Sequence, residues 1–539
     1  MSSRRIACFA VVVSSSFAGA QGPRRPAPDL ILTGGKVFTA DSLHPWAEAI
    51  AIRGERIVAV GSNADIRSLA KRGSREIGLG GRTVIPGIND AHDHVGDVAP
   101  GREIRMSSAP TPDPAAAQVL DSLRAAVGTL NTGTWLKVTI GLRALDDSTL
   151  RRRALDIVAP NNPVLLWTWW GHGAILNTVA LRRVRIADDA IDPLGGFYER
   201  DASGRLTGRL DEYAEWGALR RIYSSVPMKE SIGALRAFGD SSLRLGVTSV
   251  QDMAGDFEPA YTIRAFREAR LPIRIRLIRW SIPDGRGRNE AEWNSVPAHP
   301  APRVTVSGRK WVLDGTPIER LALMTHAYSG QPGYLGKLDF PVDTVRAILA
   351  GALKPGAAQL HLHVVGDSTP AIVLALMESL APDSVWRGKR VRFEHARGVV
   401  GDLVARAVRL GVVIAQPRPG SPIDTWRAAG IPLAYGSDQL RNPYFNMMQM
   451  VSSRPGSKSE TITREQAVVI ATRGSAYAEF AEHDKGTLAP GMLADIAVLS
   501  QDIFTVAPGA LPATTSVLTL VGGRVVFDAL SHAASAPSR

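Results

Sequence analysis

Cysteine is nearly absent: the 539 residues contain one, at position 8. It falls in Met1–Ala20, which reads as an export signal: Arg4 and Arg5, an apolar stretch Ile6 to Val13 continuing to Phe17, then the small run Ala18-Gly19-Ala20. Cleavage is expected before Gln21. The remaining chain then has no thiol, which excludes disulfides and thiolate chemistry. A lipid anchor at Cys8 would come too early, and an uncleaved anchor would need about 20 apolar residues. Ser3-Arg4-Arg5 hints at twin-arginine export, although the residues that follow fit that pattern poorly. Long apolar runs are otherwise lacking, so no stable membrane insertion is expected, and the protein is expected to be periplasmic or secreted. Low complexity is lacking too: with 45% hydrophobic residues the chain is neither disordered nor collagen-like.

Charge is lopsided, with 63 Lys plus Arg against 51 Asp plus Glu. The arginines are nevertheless dispersed, with short clusters at Arg151-Arg152-Arg153 and Arg182-Arg183, and aromatics do not interleave with them. That is a solvated basic face rather than a nucleic-acid groove; a polyanion-binding protein would instead bind with a steep salt dependence.

Both ends of the chain are strand-like. Asp29–Thr33, Lys36–Phe38, Glu48–Ile52 and Arg56–Val60 alternate with Gly34-Gly35 and Gly54, and Ala494–Leu499, Thr515–Val521 and Arg524–Phe527 have the same character. Neither piece buries enough alone, so one β-sandwich is expected from residues 29–85 and 484–530 together. Between them, residues 86–483 alternate strand-like and helical runs, the pattern of a parallel sheet. Eight strands are expected: Thr83–Ile88, Val247–Met253, Ile273–Trp280, Lys310–Leu313, Gln359–Val365, Val391–Glu394, Val412–Gln416 and Pro432–Tyr435. Eight is the count of a closed (β/α)8 barrel, whose site lies at the carboxyl ends of its strands. Residues 100–243 form an insertion, with strand-like pieces at Trp135–Ile140 and Val164–Trp169, expected to cover the barrel mouth.

Chemistry-bearing residues gather at those carboxyl ends. The first finishes in Asp90-Ala91-His92-Asp93-His94, the fifth ends in His361-Leu362-His363, the sixth in Glu394-His395, and the eighth in Gly436-Ser437-Asp438. In an extended chain His92 and His94 point the same way, their Cβ atoms roughly 6–7 Å apart, and Asp93 points the other way. Two imidazoles so placed close onto one cation. Five of the eleven histidines thus cap three strands. Lys310, on the fourth strand, would be a costly buried ammonium unless neutralised.

The sequence resembles the metal-dependent amidohydrolase superfamily, and within it the YtcJ-like branch, amidohydrolase family three, which includes N-substituted formamide deformylases. The resemblance runs from Asp29 to about Phe527. It is carried by Val84-Ile85-Pro86-Gly87-Ile88-Asn89-Asp90-Ala91-His92-Asp93-His94, His363-Val364-Val365-Gly366-Asp367, Arg392-Phe393-Glu394-His395-Ala396, Gly436-Ser437-Asp438 and Lys485 to Asp495. It implies the barrel-plus-sandwich fold and divalent metal, usually zinc, as one or two ions on His92, His94, His363, His395 and Asp438. Lys310 stands where the family carries a carboxylated lysine. His363 rather than His361 matches the ligand position, which leaves His361 a packing or supporting role.

Metal-activated water would then attack a carbonyl, with Asp438, His363 and His395 as the catalytic groups, and Asp438 handling the proton. The expected reaction is hydrolysis of an amide-type C–N bond in a small, aromatic or N-acylated molecule. Esters, lactones and cyclic amides are the alternative substrates on the same centre, and a non-catalytic binding protein of this fold is the alternative class. In the insertion, Trp169, Trp170, His172 and Asn177 are candidate substrate contacts beside Trp167, while Glu212 and Asp252 read as structural. Two departures from the branch stand near the barrel mouth, Thr316-Pro317-Ile318-Glu319 for a Ser-Leu-Gly-like run and Ser368-Thr369-Pro370 after Asp367. The partner is a small molecule, and a homo-oligomer is left open.

Overall fold

The computed structural model describes residues 27–531 apart from 97, 99, 110, 284–286, 289, 418–419 and 454–458. Met1–Ala20, expected to be an export signal, lies with Cys8 outside the described residues. Eight short apolar runs form one parallel sheet: β1 (Ile88–Asp93), β2 (Val247–Ala254), β3 (Arg274–Trp280), β4 (Val304–Val312), β5 (Leu360–Val364), β6 (Arg392–His395), β7 (Val413–Ala415) and β8 (Leu433–Ala434). Each pairs with the next in parallel. Every residue of β2 and of β5 is buried, as expected of strands covered on both faces. The last strand returns to the first, because Ala91 N donates to Tyr435 O at 2.7 Å and Asp438 N to His92 O at 2.8 Å. Helices pack outside. In Asp402–Leu410, for example, Leu403, Val404, Ala407 and Leu410 are buried on one face and Gly411, at φ 67°, ends the helix in the left-handed conformation.

One expected strand is divided. Thr83–Ile88 was expected to open the barrel, but Thr83–Pro86 belongs to a six-stranded sheet instead, parallel to Lys36–Phe38 and antiparallel to Ile496–Leu499. The barrel strand begins at Ile88. The handover occurs at Gly87, whose N–H donates to Asp495 O while that of Ile88 donates to Gly246 O. A side chain there has no room, since a Cβ on Gly87 would lie 2.2 Å from Thr248 Oγ1 and 2.4 Å from its Cγ2.

The six-stranded sheet and a four-stranded sheet, which holds Leu30–Thr33, Ala49–Arg53, Arg56–Gly61 and Arg75–Gly78, share one apolar core. That core mixes Leu32, Ile50 and Val84 with Ile496, Val498 and Leu518, so the two chain ends bury each other. Arg274 of β3 ties the barrel to this unit through Asp495, at 2.8 and 3.1 Å.

Between β1 and β2 the insertion carries its own six-stranded sheet, including Leu136–Ile140, Val164–Thr168, Gly173–Leu176 and Leu206–Glu212. Side chains alternate across it: Val164 and Leu166 join a core of their own, whereas Leu165 and Trp167 join the main core. No helix among the described residues is long and apolar enough to cross a membrane.

The crowding at Gly87 makes a prediction. Gly87→Ala should lower the unfolding midpoint, with an overpacking cost of about 1–3 kcal/mol. Gly388→Ala, inside the helix Asp383–Lys389 where an added Cβ meets nothing within 4 Å, should leave the midpoint unchanged or raise it. Thermal melts of both variants beside the parent check this.

Candidate metal centre

β1 presents His92 and His94 by simple alternation, and both line the cavity at the barrel mouth. Asp93, between them, turns away, and its carboxylate accepts from Gln439 N and Arg441 Nε, each at 3.0 Å. Asp90 accepts from Ser437 N at 3.0 Å; burial, then the neighbouring Asp93, pushes its carboxyl up to about 8. These two acids pin the segment after β8 across β1. Asp438 and Gln439 there adopt left-handed backbone, at φ 45° and 72°, a conformation non-glycine residues hold only where the surroundings impose it. The result puts Asp438 Oδ1 at 3.4 Å from His94 Nε2 and 3.6 Å from His92 Nε2.

Beneath them lies Glu394. Its Oε2 is 2.6 Å from His92 Nδ1 and its Oε1 is 3.3 Å from His361 Nδ1. Arg392 pairs with the same carboxylate at 3.0 Å and also donates to Gln251 Oε1 and Ala91 O, each at 2.6 Å. Burial opposes a charge on Glu394, yet Arg392 and the two imidazoles hold its carboxyl well below the usual range. With Nδ1–H of His92 directed at Glu394, Nε2 is left facing the centre. His361 therefore sits under Glu394, not in the cavity.

His395 ends β6 with φ 70°, and its Nε2 stands 3.0 Å from Nδ1 of His363 on β5. His363 Nε2 is buried and meets no hydrogen-bond partner. Lys310 of β4 is 1% exposed, and its Nζ lies 3.3 Å from His92 Nε2 rather than against a carboxylate. Burial brings its amine down to about 8. Burial likewise lowers His92 and, further, His94 and His363, which favours neutral imidazoles.

Neutral imidazoles, a carboxylate oxygen and an orphaned ring nitrogen are the donor set a divalent ion takes, so these residues fit one. His92, His94 and Asp438 converge within 4.8 Å; His363 and His395 form an adjacent pair, and Lys310 stands beside His92.

The centre opens into a cavity of about 1520 Å³ whose walls include Trp167, Trp169, Trp170 and His172 from the insertion. Trp169 and Trp170 meet edge to face at 5.2 Å. His172 lies 5.1 Å from the His363 ring. Asn177 is not at the cavity. It is fully buried and caps the helix Thr178–Arg183, its Oδ1 accepting from Val164 N and Ala180 N and its Nδ2 donating to Ala159 O and Asn162 O. That side chain has no capacity left for a substrate.

Two wall residues, Trp280 and Trp216, escaped the sequence reading, and Glu212, which read as structural, is buried beside His172. Trp280 tilts onto His94 at 5.6 Å and Trp216 onto Trp280 at 4.8 Å, while Glu212 receives His172 Nδ1 at 3.0 and 3.1 Å. Trp280 is the last residue of β3, so the strand-end rule that marked His92 also marks it. Trp216 sits on a helix and gave no signal. Asp252 accepts from Val95 N at 2.9 Å, which holds the chain where it leaves β1.

The profile of the amidohydrolase family matches residues 75–527. This chain belongs to the amidohydrolase family. LONG AFTER FAR-RED 3 of Arabidopsis thaliana is 27% identical to this amidohydrolase, over 93% of this chain and 91% of its own. The N-substituted formamide deformylase of Arthrobacter pascens is 25% identical, over 93% and 98%. Among solved structures, an uncharacterised metal-dependent hydrolase from Pyrococcus furiosus superposes with a TM-score of 0.65 at 21% identity, covering 88% of this chain and all of the other. The fold is therefore that of the metal-dependent amidohydrolases.

Glu394 offers a test. Glu394→Gln keeps the shape but gives up the charge that orients His92, and should weaken divalent-metal affinity about 10–100-fold in chelator competition.

Proposed function

We propose that this amidohydrolase cleaves an amide-type C–N bond of a small aromatic or N-acylated molecule with water, giving a carboxylic acid and an amine. The observation that carries this reading is the convergence of His92, His94, His363, His395 and Asp438 at the floor of a cavity walled by tryptophans. Those five residues, with Lys310, would hold one or two zinc ions. A divalent ion bound there supplies Lewis acidity for the attacking water and for the carbonyl.

The side chains do the rest. Asp438, through Oδ1, takes the proton of the attacking water and delivers it to the leaving nitrogen. His363 and His395, side by side, complete the centre, and one of them helps stabilise charge on the carbonyl oxygen. Lys310, once its amine adds carbon dioxide and loses a proton, becomes an anionic oxygen ligand, which removes the cost of a buried ammonium. Trp169 and Trp170 take the apolar part of the substrate and His172 its polar edge. Export under the Met1–Ala20 leader would put this reaction outside the cytoplasm.

Metal content of the purified chain, measured beside formamide, amide and ester hydrolysis, tests the reading. At the histidine-rich centre about two ions are expected, and total content should fall in His363→Ala. Asp438→Asn should lose about 10²–10⁴-fold in kcat. No bound metal and no hydrolysis after zinc reconstitution, or undiminished amide turnover in Asp438→Asn, would overturn it. Trp169→Ala should raise KM for aromatic amides more than for acetamide-sized ones; equal effects on both would remove Trp169 from the substrate wall.

A further inference from the structure

We propose a second divalent-cation site, distinct from the histidine-rich centre, formed by His172, Glu212 and Glu319. One ligand atom from each lies within 4.8 Å of the others, and all three residues are buried. They come from separate parts of the chain: His172 precedes the insertion strand Gly173–Leu176, Glu212 ends Leu206–Glu212, and Glu319 follows β4.

The two carboxylates converge over the one position that has no side chain. A Cβ on Gly315 would lie 2.6 Å from Glu212 Oε1 and 2.6 Å from Glu319 Oε1. Glu319 is held in place by the main-chain N–H and hydroxyl of Thr316, and Glu212 by His172 Nδ1. An independent observation points to a ligand. Asp339 is 9% exposed, its carboxyl oxygens meet no N–H or hydroxyl donor, and the carboxyl stands against that of Glu212.

Among the described residues no lysine or arginine pairs with Glu212, Glu319 or Asp339. Buried acids without countercharge are costly. A divalent ion neutralises two carboxylates, and an imidazole nitrogen with carboxylate oxygens is a donor set that zinc and manganese accept. Glu319 belongs to the Thr316–Glu319 stretch in which this sequence departs from the branch it resembles, so the site is a property of this chain. A cation there clamps the insertion to the loop after β4 and fixes the ring of His172 beside His363. The inference stands whether or not the C–N reading holds.

Crystals of the full chain equilibrated with zinc, measured on both sides of the zinc absorption edge, decide the matter. An anomalous peak among His172, Glu212 and Glu319, in addition to one at His92, His94 and Asp438, is expected. Glu319→Gln should carry about one zinc fewer per chain than the parent, and Asp339→Asn should bind that zinc about tenfold more weakly. A peak at the histidine centre and none at the cluster overturns this site alone; peaks at neither position overturn both metal assignments. Parental zinc content in a folded Glu319→Gln also overturns it, and if that variant fails to fold the parent's anomalous map suffices.

Discussion

The centre depends on one buried charge. Glu394 has no access to water, and its carboxylate is shared by the Arg392 guanidinium and by the imidazoles of His92 and His361. A carboxylate so deep stays ionised only because a cation stands beside it, and Arg392 is held there by Gln251 and by the carbonyl of Ala91. Four strands, β1, β2, β5 and β6, are thereby locked together, and the orientation of His92 follows. Removing any member leaves an uncompensated group in the barrel.

What was legible in the sequence was the part governed by local periodicity. Alternation along β1 separates His92 and His94 from Asp93, and the strand-end rule brings His363, His395 and Asp438 to the same mouth. The boundary at Gly87 was not legible, because Thr83–Pro86 and Ile88–Asp93 form one continuous extended and buried run. Only their partners, Ile496–Leu499 on one side and Val247–Ala254 on the other, distinguish them. Asn177 misled for a related reason: its polarity is spent on four backbone groups brought near by folding of the insertion, and nothing in its neighbours along the chain discloses them. Trp216 acquires its place in the wall, and Glu212 its place beside His172, through the same non-local packing.

The insertion divides labour with the barrel. β-strand ends supply groups held rigidly by main-chain pairing, which suits ligands that must converge to within an ångström. The insertion supplies breadth: its tryptophans bring large rigid surfaces with few torsions to freeze, Trp169 and Trp170 packed edge to face and Trp216 tilted onto Trp280 of the barrel. The histidines and Asp438 thus come from the barrel, while Trp167, Trp169, Trp170 and Trp216 come from the insertion.

The continuity of Thr83–Pro86 with β1 bears on how the molecule comes to exist. The strand that leads into His92 and His94 is flanked by Ile496–Leu499, about 400 residues further along the chain. Contacts of such sequence separation form slowly, since closure of the intervening loop must precede them. During synthesis the segment therefore waits, with one edge unpaired, until the last strands have been made. The active site is completed at the end of biogenesis rather than at its beginning, and a truncated or stalled polypeptide holds its histidines without the frame that aligns them.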